Sequence, residues 1–120
     1  MQNGNTKRFA AKLLFQFRVV VGGKSSRRRI CEERTVVFTA SSAKGALAAA
    51  RRKGRAAQYD YRNDENNPIY FEFVGVTAMQ CLDPVCERDE FWYDVREWLS
   101  PMERKEAILP TDTQLLSTAG

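Results

Sequence analysis

The chain has 120 residues and a mass of 13.7 kDa, with 43% hydrophobic and 28% charged residues. This is the size and composition of one globular domain, which excludes a multidomain machine, wholesale disorder and a collagen-like repeat. Histidine is absent. A Ser-His-Asp triad, a Cys-His dyad and an imidazole metal site are therefore excluded within this chain.

The uninterrupted apolar runs reach only three to five residues, whereas a membrane-spanning helix needs about 20. The basic pair near the start is not followed by the apolar segment of a secretory signal, so we expect a cytoplasmic protein without membrane contact. Three cysteines are too few for a disulfide framework. A Cys81–Cys86 disulfide is a minor alternative, and a zinc site would lack both a fourth ligand and a Cys-x2-Cys pair. We expect no cofactor.

The net charge of +4 hides an uneven distribution. Up to Arg62 there are 15 Lys and Arg against 3 acidic residues, a net charge of +12, and after it there are 4 against 12, a net charge of −8. Three explanations remain open: an anionic partner, pairing between the two halves in the fold, or head-to-tail self-association.

Alternating apolar residues predict three strands. The alternation from Phe9 to Val21 is the cleanest and predicts a long first strand. Gly22 to Arg29 is rich in turn and solvated residues, so it should close a hairpin with a second strand, Ile30 to Ala40. After a turn cluster at Asn63 to Pro68, a third strand is expected at Ile69 to Met79, bent at Gly75.

Between the second and third strands, the sequence predicts a helix. Ser41 or Ser42 is a suitable N-cap, and small residues recur at helical spacing as far as about Tyr59. Such a helix can approach a sheet closely. The crossover it makes places the third strand beside the first, in an antiparallel sheet of order 2-1-3.

The end of the chain is harder to assign. Glu90 to Leu99 fits both a helical and a strand pattern, and we favour a helix. Ser100 to Glu103 is a capping-box sequence with proline at the first helical position, so a short helix should run to about Ile108. The expected organisation is a flexible N-terminus at 1–8, a single α+β domain at 9–109 and a loose tail at 110–120. The domain would be a curved antiparallel sheet of about three strands backed by one long helix, plus short C-terminal helices.

No pattern in the sequence indicates catalysis. The acidic residues of the second half fall mostly in predicted turns or on helix surfaces, and nothing nearby suggests the burial that would tune one of them. Gly22-Gly23-Lys24-Ser25 resembles only the last residues of a phosphate-binding loop and lacks the hydrophobic helix that follows such a loop. We therefore expect a protein that is not an enzyme.

Two kinds of binding site remain. Basic side chains that could contact phosphates cluster in the hairpin loop and on the helix. They are Lys24, Arg27, Arg28 and Arg29 in the loop, and Arg51, Arg52, Lys53 and Arg55 on the helix. Four aromatic residues also fall within eight positions, Phe91 to Trp98, and Trp92 and Trp98 are typical of a protein contact. The alternative for these aromatic residues is that they close the open end of the sheet.

Several segments together resemble a small bacterial family known only as a domain of unknown function. The matching segments are Phe9 to Phe15, Glu32-Glu33 ahead of Val36-Val37-Phe38, Ser41-Ser42-Ala43 and Tyr70 to Val76. Members show an aromatic-x-Ala-Lys-Leu-x-Phe first strand and a Phe-Val-Gly-Val third strand. The resemblance covers about Phe9 to Val95 and implies the fold but no activity. This chain departs from the family in its basic helix surface and in its added segment, Ser100 to Gly120.

These observations predict a small non-catalytic interaction or accessory domain. Its basic half and its aromatic C-terminal segment would contact an unknown protein or a second copy of the chain, as a homodimer. The alternative is sequence-independent nucleic-acid binding through the two basic clusters.

Overall fold

The structure, a computed structural model, describes residues 6–82 and 92–119, without the side chains of residues 92–96. Its elements in chain order are β1 (Lys7–Val21), β2 (Lys24–Ser25), β3 (Arg28–Ala40), α1 (Ala43–Ala56), β4 (Tyr59–Arg62), β5 (Pro68–Cys81), β6 (Trp92–Leu99), α2 (Lys105–Ile108) and α3 (Asp112–Ala119). The strands form a six-stranded antiparallel sheet of order β4-β5-β1-β3-β6, with β2 paired to β1.

A long hairpin of β1 and β3 forms the centre of the sheet. Its register runs from the pair Lys7 and Ala40 to the pair Gln16 and Cys31. At the tip, Gly22 and Gly23 adopt φ angles of 58° and 78°. Two successive positive φ angles match the twist of the flanking strands, and only glycine adopts them without strain. The tip therefore forms a tight turn, and β2 continues the pairing with β1.

One face of the sheet, here called the helix face, is packed against α1 and α3. The side chain of Ser42 caps α1 by accepting a hydrogen bond from the Gly45 N–H at 3.0 Å. Small residues let α1 lie close to the strands, and a Cβ at Gly54 would overlap the ring of Phe73. The core on this face is mainly aromatic and aliphatic, and it includes Phe9, Leu13, Phe15, Phe38, Leu47, Phe71, Val76, Met79, Leu115 and Ala119.

The opposite face carries a second, smaller core beneath a C-terminal segment, defined here as residues 98–109. Leu14, Cys31 and Val74 are buried there. They pack against the partly buried side chains of Trp98, Met102, Ile108 and Leu109. A Cβ at Gly75 would overlap the side chain of Leu109, so glycine is what lets this segment lie against β5. Both faces of the sheet are therefore covered over part of their length.

The predicted fold is wrong in its strand content. The described part of the chain, residues 6–82 and 92–119, is mostly sheet and has six strands rather than about three. The preference for a helix over Glu90 to Leu99 is also wrong, because Trp92–Leu99 forms strand β6 and pairs with β3; residues 90 and 91 lie outside the described part of the chain. The polar half of β3 offers backbone N–H and C=O groups with which residues 92–99 form hydrogen bonds. This long-range pairing favours a strand where the local sequence pattern fits both a strand and a helix.

Other expectations differ in their boundaries. Helix α1 ends at Ala56 rather than near Tyr59, where β4 begins. The short helix expected after Ser100 covers only Lys105–Ile108. The segment expected to be a loose tail, residues 110–120, contains α3, whose Leu115 and Ala119 are buried in the main core. Of the N-terminus expected to be flexible, residues 1–5 lie outside the described residues, and Lys7 and Arg8 belong to β1.

Candidate functional site

Helices α1 and α3 leave part of the helix face uncovered, at the end that carries the hairpin tip. The exposed large hydrophobic side chains of the described residues are Val21, Ile30, Tyr59, Tyr61 and Leu99, which are 43 to 57% exposed. Strand pairing places all five on the helix face. We call this surface the open end. One cause explains the shared location, because the hairpin continues beyond the reach of the helices.

The register across the strands fixes this assignment. Tyr59 lies opposite Phe71, which lies opposite Phe17, and Tyr61 lies opposite Ile69. Directly paired residues of antiparallel strands point to the same face. On β3, Cys31 pairs with Gln16 on the other face, so Ile30 points to the helix face.

Aromatic rings form the floor of the open end. The Phe71 ring lies 4.7 Å from Phe15, 4.8 Å from Phe17 and 4.8 Å from Tyr59, measured between centroids. The guanidinium carbon of Arg34 lies 4.9 Å from the Phe15 ring centroid. Contacts between aromatic rings, and between a ring and a cation, stabilise such a cluster. The open end is thus a preformed surface rather than a set of independent side chains.

The charged side chains on the open end pair with one another. Arg28 and Glu97 form an exposed ion pair at 3.4 Å, and Arg34 and Glu32 form a less exposed one at 3.2 Å. Register also places Lys24 on this face, opposite Val21. Among the described side chains of this surface, Lys24 is the one charge without an oppositely charged partner.

The structure separates the hairpin cluster predicted from the sequence. Lys24, Arg27 and Arg28 are exposed near the tip. Arg29 is only 2% exposed and points into the opposite face, where it forms an ion pair with Glu103 at 2.7 Å. Arg29 is therefore a structural residue with no surface to offer a phosphate.

The helix cluster lies at a distance from the hairpin cluster. Arg52, Lys53 and Arg55 are exposed, whereas Arg51 forms an ion pair with Asp112 at 2.6 Å. The Lys53 amine lies 5.5 Å from the ring centroid of Phe38, and Phe38 pairs with Phe9 at the far end of β1. Arg55, at the other end of the cluster, lies beside Phe73, which pairs with Phe15; six residues of strand, about 20 Å, separate Phe15 from Val21. The two basic clusters do not form one patch.

The two tryptophans were predicted as contact residues. Trp98 packs against the small core beneath the C-terminal segment, so it supports the fold rather than offering a free surface. Trp92 begins β6, opposite Thr35, and its side chain lies outside the described part of the structure.

A buried polar network ties the C-terminal segment to the sheet. Gln16 is fully buried, donates to Glu72 at 2.7 Å and accepts from Arg29 at 3.0 Å. The hydrogen bond from Arg29 lowers the pKa of Glu103, and the one from Arg18 lowers the pKa of Glu72, both against a smaller opposing effect of burial. Each carboxylate already has a guanidinium partner. The network therefore holds structure and leaves no group poised for general acid or base chemistry.

A groove of about 600 Å³ lies along the outer edge of β5. Its floor includes Phe73, Val74, Gly75 and Val76, and its walls come from the end of α1 and from residues 105–112.

Within the described part of the chain, no three His, Cys, Asp or Glu side chains come together as a metal site. None of the helices described is long and apolar enough to span a membrane.

Sequence reasoning missed Tyr59 and Tyr61, because the predicted helix was extended to about Tyr59 and Tyr61 was assigned to no element. A signal was present, since Tyr59-Asp60-Tyr61-Arg62 alternates aromatic and charged residues just before a turn cluster. Ile30 and Leu99 carried no such signal. Their exposure depends on where the helices end relative to the hairpin, which is a tertiary property.

Comparison with known proteins identifies the family of this domain but no activity. No curated protein and no solved structure matches the chain. Residues 8–90 match a family described as a domain of unknown function, DUF4288. The match includes β1 to β5, with Tyr59 and Tyr61 of the open end, and it ends before β6 and the C-terminal segment. The chain belongs to the DUF4288 family of domains of unknown function.

Proposed function

We propose that this protein is a non-catalytic interaction domain, and that it pairs with a second copy of itself through the open end. The observation that carries the proposal is the confinement of five exposed large hydrophobic side chains to one end of one sheet face. Scattered exposed hydrophobic residues are ordinary, but a contiguous patch of them marks a binding surface.

The area of the patch suits a dimer. Five half-exposed side chains of this size present roughly 500 Å² of apolar surface, near the upper end for a monomer. A standard interface buries about 800 Å² on each partner, a little over half of it nonpolar. A polar rim of about 300 Å² around these side chains would complete that area. Two such faces can pack as sheets do, about 10 Å apart and related by a two-fold axis.

Charge favours a second copy over an acidic partner. Among the described side chains, the ion pairs Arg28–Glu97 and Arg34–Glu32 neutralise the charges around the patch except that of Lys24. Two copies with the same net charge can therefore meet here with little repulsion, and an acidic protein would gain little from this face. The basic side chains of α1 stay outside the contact.

Mass by light scattering after size exclusion tests the proposal. At about 50 µM protein we expect the dimer mass in both 50 mM and 500 mM salt, because apolar contacts are not screened. Ile30→Asp should give the monomer mass with an unchanged circular dichroism spectrum. Thr39→Asp is the matched control, since Thr39 is also exposed on β3 but points to the other face. It should remain a dimer.

A monomer mass at every concentration would refute self-association. Equal effects of Ile30→Asp and Thr39→Asp would show that the open end is not the contact surface. Either result would leave the open end without the partner proposed here.

The second candidate function is sequence-independent nucleic-acid binding. Tyr59 and Tyr61 are exposed rings whose centroids lie 6.1 Å apart, a geometry on which bases can stack, and Lys24, Arg27 and Arg28 are exposed near the tip. The aliphatic side chains of Val21, Ile30 and Leu99 offer bases no stacking partner, so we rank this candidate second. A 20-nucleotide single-stranded oligonucleotide added to the same experiment tests it: binding that weakens steeply with salt and with Tyr59→Ser would favour it.

A further inference from the structure

The outer face of helix α1 carries only positive charge. The basic residues of the helix are Lys44, Arg51, Arg52, Lys53 and Arg55, and the helix contains no acidic residue. Its buried residues are Ala46, Leu47, Ala50 and Gly54. At about 3.6 residues per turn, Lys44, Arg52 and Arg55 lie within about 80° of one another on the opposite side, and all three are exposed. We call these three residues and the exposed side chains between them the basic face.

The three cations of the basic face have no counter-charge. Other arginines of the described chain pair with a carboxylate, namely Arg18, Arg28, Arg29, Arg34 and Arg51. In the same part of the chain, Lys44, Arg52 and Arg55 form no ion pair and no side-chain hydrogen bond. Lys105 and Glu106 line the groove along β5 beside Arg55, but their charges cancel. Three positive charges are therefore left uncompensated on one surface.

Helix stability does not account for this charge. Basic side chains in the last turn complement the helix dipole, and Lys53 and Arg55 lie there. Lys44 lies in the first turn instead, where the dipole favours an acidic residue and none is present. Arg51 and Arg55, which are four residues apart, repel each other. An anionic partner would relieve both unfavourable interactions, so the basic face favours the binding of a polyanion.

The shape of the basic face suits the backbone of a nucleic acid. Gly45, Ala48 and Ala56 are exposed on the same side of α1, so no bulky side chain keeps a partner away from the helix. From Lys44 to Arg55 the helix rises about 16 Å, and one strand of B-DNA presents about five phosphates over that length. The three cations can therefore contact phosphates along a single stretch of backbone.

The composition and width of α1 favour duplex DNA over other polyanions. The helix contains no aromatic residue on which the bases of a single strand could stack. It exposes no large apolar side chain that could enter a lipid bilayer. The major groove of B-DNA is about 12 Å wide and admits an α-helix, whereas the major groove of an RNA duplex is too narrow.

We propose that the basic face binds duplex DNA through its phosphates, without sequence preference. Lys44, Arg52 and Arg55 contact the phosphates, and the small side chains between them let α1 approach the major groove. Those small side chains donate no hydrogen bond to a base edge, so the contact does not discriminate between sequences. The basic face lies outside the open end and uses neither Tyr59 nor Tyr61. The proposal is therefore independent of dimerisation and of single-strand binding at the open end.

Fluorescence anisotropy with a labelled 20-base-pair DNA duplex of mixed sequence tests the proposal. Each of the three phosphate contacts steepens the dependence on salt, so the affinity should fall at least about 40-fold between 50 mM and 200 mM salt. A second duplex of unrelated sequence should bind equally well. An RNA duplex of the same sequence and poly-glutamate of the same charge should each bind at least 5-fold more weakly. The amide NMR signals of Gly45, Ala48 and Arg52 should shift when the DNA is added.

Substitutions locate the contact. Arg52→Gln together with Arg55→Gln should reduce the slope of log affinity against log salt to about a third of its wild-type value, because two of the three contacts are lost. Lys24→Gln together with Arg27→Gln is the matched control, since it removes the same number of exposed positive charges at the hairpin tip. It should leave the slope unchanged. Circular dichroism establishes that both double variants are folded.

No binding of duplex DNA at 50 mM salt and 100 µM protein would overturn the proposal. Equal reductions of the slope in the two double variants, or NMR shifts confined to residues outside α1, would also overturn it. Binding of the RNA duplex as tight as that of DNA would contradict the fit to the major groove. Equally tight binding of poly-glutamate would indicate an acidic protein as the partner instead.

Discussion

The ion pair between Arg29 and Glu103 should be a main attachment of the C-terminal segment, and Glu103→Gln tests this. The Arg29 side chain is 2% exposed, whereas that of Glu103 is 57% exposed. Both guanidinium nitrogens of Arg29 reach the carboxylate, at 2.7 and 3.0 Å. The substitution keeps the shape and one acceptor but leaves a buried cation without its counter-charge.

The magnitude follows from that asymmetry. A hydrogen bond to a charged group contributes about 1.5–3 kcal/mol, and removing one partner of a fully buried pair costs about 3–5 kcal/mol. Glu103 is more than half exposed, so water screens the interaction and the cost is smaller. Arg29 also keeps its bonds to Gln16 and to the Ser26 carbonyl. We expect Glu103→Gln to lower the free energy of unfolding by about 1–2 kcal/mol at pH 7.

The pH dependence provides a second test. Because the pKa of Glu103 is lowered in the folded protein, its ionised form stabilises the fold above the ordinary carboxyl pKa of about 4.3. That stability is lost as the pH falls through the folded-state pKa. The gap in stability between wild type and Glu103→Gln should therefore narrow as the pH falls from about 5 toward 3.

Urea unfolding followed by tryptophan fluorescence measures both effects, since Trp98 packs beneath the same segment. Glu106→Gln is the control, because Glu106 is exposed on the same C-terminal segment and has no ion pair among the described residues. Its effect should be within error. Two results would show that the Arg29–Glu103 ion pair does not attach the segment in this way. One is a Glu103→Gln variant as stable as wild type at pH 7, and the other is a stability difference between the two proteins that stays constant down to pH 3.

Two further substitutions test the packing of α1. Gly54→Ala should lower the free energy of unfolding by about 1–3 kcal/mol, because the added Cβ overlaps the Phe73 ring. Helix propensity alone predicts a gain in stability of about 1 kcal/mol. A variant that is more stable than wild type in urea unfolding would therefore contradict the close contact between α1 and Phe73. Ser42→Ala removes the N-cap bond to the Gly45 N–H and should cost about 1 kcal/mol, whereas Ser41→Ala should be neutral; an equal loss from both would reject Ser42 as the cap.

Sequence reasoning succeeded where local chemistry decides the structure. The Ser42 cap, the glycine turn at the hairpin tip and the alternation in β1 depend on side chains within a few residues of one another. It failed at β6, whose pattern fits two structures and whose pairing partner lies more than 55 residues earlier in the chain. The same holds for Arg29, which looked like one of three equivalent surface arginines until the C-terminal segment covered it.

The amino-acid sequence by itself determined the absence of histidine chemistry, the hairpin, the capped helix and the family of the domain. Only the tertiary structure decided which basic residues are exposed, where β6 pairs and which hydrophobic side chains remain uncovered. The physical reason is that α1 and α3 bury the helix face only as far as they reach, while β1 and β3 continue past them. The exposure of Ile30 and Leu99 follows from that difference in length rather than from any local pattern.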